Sequence, residues 1–326
     1  MTRRRQGWQS FVEDAPMSRR WRPKRSIVAR ATGRLKERTD PSAPALPPPD
    51  VQPGRVTTNV GPIFIVGCQR SGTSLLRRIL DSHSMIACPP ESQFILPLVE
   101  ILQGRTASED DKYLSGLASM GYDRTSVEAS LAGFISGFFD GYAKAQGKER
   151  WADKSPLYVD CLAELRAIFG SRARFILLIR HGLDVAFSLS DADRDYAAIH
   201  RHVEAAGGNV PVGAGRFWAD QNGKIEAFRS TCPEVCFRLQ YEELTRDPGS
   251  SLQPMFEFLE EPWEPDVMDY RRFTHHRGFE DPDVRRRRRI EVNSGRYLAW
   301  PPDVRAQVRD ACEPLLSQLG YGNDDR

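Results

Sequence analysis

The stretch Gly61-Pro62-Ile63-Phe64-Ile65-Val66-Gly67-Cys68-Gln69-Arg70-Ser71-Gly72-Thr73-Ser74 decides how this chain is read. Residues 62–66 form a short apolar run with the length and β-branched content of a buried strand. Residues 67–72 are a turn bounded by glycines. From Thr73 to Asp81, Leu75, Leu76, Ile79 and Leu80 recur at helical spacing and make one apolar stripe. A glycine, four residues and a second glycine, with a strand before and a helix after, is the spacing of a phosphate-binding loop. Successive backbone N–H groups and the helix N-terminus there suit an anionic phosphate. An ordinary glycine-rich strand-to-helix turn has the same spacing. Thr73 also stands where a nucleoside triphosphatase carries the lysine that reaches its β- and γ-phosphates. That argues against ATP or GTP hydrolysis and leaves Arg70 and Thr73 to hold a single terminal phosphate.

Outward from this loop, strand, turn and helix alternate. Residues 91–146 read as mostly helical, with an aromatic-rich stretch at 134–142. A short strand is expected at 150–152, a helix at 157–169, the clearest buried strand at 174–179, a further strand at 235–239 and a helix at 248–259. That alternation predicts an α/β fold, with a central parallel sheet covered on both faces. Arg180 falls at the carboxyl end of the 174–179 strand, where such sheets bind ligands. Ser188 follows about two turns into the next helix. Together they can grip a second phosphate, although a surface salt bridge and a neutral helix position account for each alone.

With both segments in view, residues 62–74 resemble the 5′-phosphosulfate loop of sulfotransferases that use 3′-phosphoadenosine 5′-phosphosulfate (PAPS). Residues 174–190 resemble the matching 3′-phosphate segment. The likeness runs from about Gly61 to Gly320 and is greatest to the tyrosylprotein-sulfotransferase-like subgroup and related bacterial enzymes. It implies a P-loop-like three-layer αβα sandwich. It assigns Arg70, Ser71, Gly72, Thr73 and Ser74 to the 5′-phosphate, and Arg180 and Ser188 to the 3′-phosphate. It also accounts for the missing lysine, because PAPS has no γ-phosphoryl group and needs no metal.

Sulfonate transfer to a hydroxyl requires a base for the acceptor proton and a cation for the leaving phosphate oxygen. By resemblance Glu91, in Pro89-Pro90-Glu91-Ser92, is the base, and Lys154, in Asp153-Lys154-Ser155-Pro156, faces the bridging oxygen. A first-turn helix position also suits Glu91, an exposed loop also suits Lys154, and Asp153 reads as a local partner. His83 is the rival base, placed where a helix cap or a packing role is equally natural. Tyr241 matches a position that contacts adenosine, or is a core tyrosine after a strand. Asn293 and Arg296 fall in the segment that closes over the 3′-phosphate in the family. The family often has a lysine just before the tryptophan at Trp300, but here the residue is Ala299. The arginine run at 285–289 reads as a solvated loop.

The chain has 326 residues, 28% charged and 40% hydrophobic, ample for a core. Residues 1–55 hold 13 Lys and Arg against 5 Asp and Glu, a balance of +8, which leaves −6 for the rest against the net +2. A mildly acidic folded part excludes nucleic-acid binding through overall charge. Residues 1–58 carry eight prolines and eleven arginines and read as a disordered basic arm. Trp8, Phe11 and Trp21 among those arginines would suit peripheral contact with an anionic membrane. The sulfotransferase domain is expected over 59–326. No apolar run reaches the roughly 18–20 residues of a membrane span, and no secretory signal follows the basic start. Six cysteines in no zinc spacing fit reduced thiols in a cytoplasmic protein. The expected partner is a hydroxyl acceptor, whether small molecule, glycan or lipid headgroup, shaped by residues 91–146 and 191–230. A P-loop nucleotide kinase or a non-catalytic binder of the product PAP (adenosine 3′,5′-bisphosphate) are the alternatives.

Overall fold

Parallel strands buried on both faces need helices on both sides, and a five-stranded parallel sheet carries this chain. In the computed structural model the described residues are 61–103, 112–190, 197–276, 278, 281–286 and 289–322. The arm expected over 1–58 lies outside them. Strands β1 (Ile63–Val66), β2 (Ile86–Ala87), β3 (Arg150–Lys154), β4 (Arg174–Ile179) and β5 (Cys236–Gln240) lie in the order β2-β3-β1-β4-β5, all pairs parallel. Ile65 at the centre faces Lys154 of β3 on one side and Ile176 of β4 on the other.

Side chains alternate across the pleat, so β1 feeds two cores. Ile63 and Ile65 pack with Leu75, Leu76, Ile79 and Leu80 of α1 (Thr73–Asp81), as the stripe predicts. Phe64 and Val66 point the other way. Phe64 lies within 5.3–5.7 Å, centroid to centroid, of Trp151, Tyr158, Phe169 and Phe175. Phe139 stacks on Trp151 at 4.3 Å and is core, whereas Phe134 and Phe138 on the helix Arg124–Ala145 are 54% and 59% exposed.

Three elements depart from the sequence expectations. β2 has two residues, too few for any pattern to register. The helix expected over 157–169 begins as a 3₁₀ turn, Pro156–Cys161, capped by the Ser155 hydroxyl, and becomes α-helical at Leu162–Phe169. Residues Val210–Thr231 form a long helix whose Trp218 and Ile225 are fully buried, a core element where a pocket wall was expected. Glycine there serves close packing: a Cβ on Gly213 would stand 2.6 Å from the Val203 Cα. Among the described residues no helix is long and apolar enough to cross a membrane.

Phe64→Ala should therefore remove the shared contact of four aromatic rings and cost about 3–5 kcal/mol in urea unfolding. A loss below about 1 kcal/mol would show that the cluster repacks around the gap.

Candidate active site

The strand order reverses about β1, so the crevice beyond the carboxyl ends of β3, β1 and β4 is where such a sheet binds ligands. Each of these three strands delivers a functional group there. β1 runs into the loop 67–72, β3 ends in Lys154, and β4 is followed by Arg180. One cleft is lined by Arg70, Gly72, Thr73, Ser74, Glu91, Lys154, Arg180, Ser188, Tyr241, Asn293 and Arg296. These are eleven of the twelve residues expected from sequence. The twelfth, Ser71, is fully buried behind the loop, and its Oγ meets no partner among the described residues.

The loop closes by Ser71 N–H donating to the Cys68 carbonyl at 3.1 Å. Arg70 and Gly72 both take the left-handed conformation, φ +69° and +98°. At Gly72 no side chain fits, because a Cβ would stand 2.5 Å from the Tyr241 ring. That buried ring also carries the Arg180 guanidinium, 4.5 Å above its centroid.

The cations are anchored without solvent. Arg180 is 5% exposed and donates to the Arg70 carbonyl at 2.9 Å and to the Asn293 carbonyl. Its own carbonyl accepts from the Trp218 indole at 3.0 Å. Its Nε is buried without a partner among the described residues. The following residue is fixed by Glu242, which accepts from the His181 amide at 3.0 Å and from the Tyr321 hydroxyl at 2.8 Å. Burial pushes the Glu242 carboxyl above its usual range against those hydrogen bonds. Lys154 is 1% exposed, pairs with the Glu91 carboxylate and donates to Ser74 Oγ at 3.3 Å. Next to it, burial raises the Asp153 carboxyl despite donors from Tyr158 and Ser92.

Arg70 ties the halves of the cleft together. Its Nε donates to Ser188 Oγ at 2.9 Å, joining residues read from sequence as belonging to two different phosphates. Its other two nitrogens meet Asp281 at 2.6 Å and Asp283 at 3.3 Å. These aspartates went unnoticed in the sequence, where they are ordinary charges before an arginine run. They enter the cleft because the chain folds back more than 200 residues from Arg70. Asn293 contributes its carbonyl, and Asp184 holds the turn beside it by accepting from the Gly295 and Arg296 amides at 2.8 and 2.9 Å. His83 is fully buried away from the cleft, bonded to the Pro262 carbonyl at 2.9 Å and stacked on Phe256 at 4.9 Å. That is a packing role. Of the arginine run, residues 287 and 288 lie outside the described residues, and Arg286 and Arg289 meet Asp283 and Glu291.

The cleft thus brings together buried cations and a glycine-bounded loop, a lining that suits an anionic ligand. Residues 62–265 match the family model described as the sulfotransferase family. The chain belongs to that family. It is 26% identical over 275 residues to protein-tyrosine sulfotransferase A of Caenorhabditis elegans, covering 79% of this chain and 67% of that protein. It is 29% identical over 224 residues to an uncharacterised protein of Aquifex aeolicus, covering 67% of this chain but only 28% of that longer protein. Among solved structures it resembles the sulfotransferase domain from the curacin biosynthetic pathway, with a TM-score of 0.56, 24% identity, and coverage of 81% of this chain and 98% of that domain. The fold is thus the P-loop-like αβα sandwich.

Asp281 and Asp283 occupy the guanidinium that an anionic ligand would want. Replacing both, in D281N/D283N, should tighten PAP binding roughly threefold to tenfold by titration calorimetry. Weaker binding would instead identify the pair as support that Arg70 needs.

Proposed function

We propose that this protein transfers the sulfonate group of PAPS to a hydroxyl acceptor, with Glu91 as base and Lys154 facing the leaving oxygen. The observation that carries the reading is the Glu91–Lys154 ion pair, set at the end of β3 in the same cleft as the loop, Arg180 and Ser188. A base and a buried cation within reach of one phosphate loop are the two groups the transfer requires. The absence of a P-loop lysine at Thr73 fits a donor whose reacting group is not a γ-phosphoryl.

Bound PAPS supplies an activated sulfonate, whose bond to the bridging phosphate oxygen breaks as the acceptor oxygen attacks the sulfur. Every other part of the task falls to the chain. The loop amides with Thr73 and Ser74 hold the 5′-phosphate, and Arg180 with Ser188 holds the 3′-phosphate. Tyr241, Asn293 and Arg296 close the adenosine side. Arg70, bonded to Ser188 and standing in the loop, serves both ends. Lys154 neutralises charge on the departing oxygen, and Glu91 accepts the acceptor's proton. The two groups form an ion pair, and Glu91 becomes free to take the acceptor's proton as Lys154 turns to the phosphate. Positioning accounts for much of the acceleration in such a site.

The test is thermal unfolding with PAP, ADP and Mg-ATP in parallel. PAP at 100 times its dissociation constant should add roughly 2.7 kcal/mol of stability. Stabilisation by Mg-ATP with PAP inert would overturn the reading in favour of a kinase. On the chemistry, K154A should lower the rate of PAP release from PAPS at least tenfold with PAP affinity held within about twofold. Parallel losses in both would remove Lys154 from the leaving-group role.

A further inference from the structure

The base and the cation come from different parts of the chain, and something must hold them together. Lys154 and Asp153 are neighbours on β3, so their side chains leave opposite faces of the sheet. Ala152 and Trp151 show the same division, one in each core. Lys154 points toward α1, where it meets Ser74 and Glu91. Asp153 points to the other core, fully buried, where its Oδ2 accepts from the Tyr158 hydroxyl and from Ser92 Oγ at 2.7 Å. Glu91 and Ser92 are also neighbours. The segment that carries the base therefore straddles the end of β3 and is tied to it on each face, by Glu91 to Lys154 and by Ser92 to Asp153.

We infer that Asp153 is a positioning residue, which acts through Ser92 to hold Glu91 against Lys154, with Tyr158 fixing the Asp153 carboxylate. The inference rests on the assignment of Glu91 as the base. Three features support it. Between Cys88, whose amide donates to Asp81, and Phe94, stacked on Phe139, Pro89 and Pro90 donate no backbone hydrogen bond and Gln93 sits in the left-handed conformation at φ +55°, so the Ser92 hydroxyl ties the middle of the segment to the sheet. A fully buried carboxylate is expensive to keep unless it is hydrogen-bonded. Here the bonds go to one oxygen while Oδ1 has no partner among the described residues. Tyr158, which makes the second bond, is itself fully buried against Phe64 at 5.7 Å, so the anchor is rigid. Strand and base segment thus move as a unit.

The experiment uses the full chain, with PAPS as the only substrate and water as acceptor, in single turnover with enzyme in excess. S92A breaks the tie without disturbing the Asp153–Tyr158 pair, and Ser92 is only half-buried, so the variant should fold. It should lower the rate of PAP formation roughly tenfold while leaving the PAP dissociation constant within twofold. D153A should lose more. D153N should recover most of that loss, because an amide oxygen accepts the same two donors. Combined with E91Q, S92A should cost nothing further, since its effect passes through Glu91. Independently of turnover, amide exchange at residues 91–94 should quicken at least fivefold in S92A, with that of α1 unchanged. Unchanged exchange and unchanged rate in S92A, with E91Q inactive, would overturn the positioning role alone. An active E91Q would instead sink the base assignment on which it rests, and the exchange data would still report whether the tie exists.

Discussion

Burying positive charge is the constraint on which this structure turns. Lys154 and Arg180 are nearly without solvent at the ends of two neighbouring strands of β1, and Arg70 stands between them on the loop. A cation taken out of water must be repaid by partners placed around it. The partners are internal: Glu91 for Lys154, carbonyls and the Tyr241 ring for Arg180, Asp281 and Asp283 for Arg70. The positive charges of the cleft are held in place because they cannot relax into solvent.

The sheet is what makes such crowding affordable. With β1 central and its neighbours running the same way, three strand ends open on one crevice. The pleat then sorts consecutive residues to opposite faces. Asp153 and Lys154 divide in this way, so one strand end reaches both the cleft and the core behind it. The same alternation lets Ile63 and Ile65 hold α1, and with it Thr73 and Ser74, while Phe64 anchors the aromatic core that holds Tyr158. Loop, Glu91 and Lys154 therefore share one foundation, and a defect in the core around Phe64 would be felt in the cleft.

Local pattern made much of this legible. The strand, loop and helix over 63–81, the strand at 174–179 with Arg180 after it, and the α1 stripe are features of adjacent residues, set by periodicity and by the conformational freedom of glycine. Eleven of the twelve expected site residues do line one cleft. Features without a local signature were missed. β2 is too short to show a period. The helix Val210–Thr231 is rich in glycine, and only its packing against Val203 and Cys312 explains why those glycines are tolerated. Asn293 acts through its backbone carbonyl, which no side-chain reading distinguishes.

By itself the sequence determined the class of fold and the glycine-bounded loop between strand and helix, because each depends on spacings within a few turns of chain. Only the tertiary structure decided which side chains meet. Arg70 joins Ser188 and two aspartates more than 200 residues away, and Ser92 is tied to Asp153 across 61 residues. Such contacts come from the order of strands in the sheet and from the need of every buried charge for a partner, and neither leaves a mark on neighbouring residues.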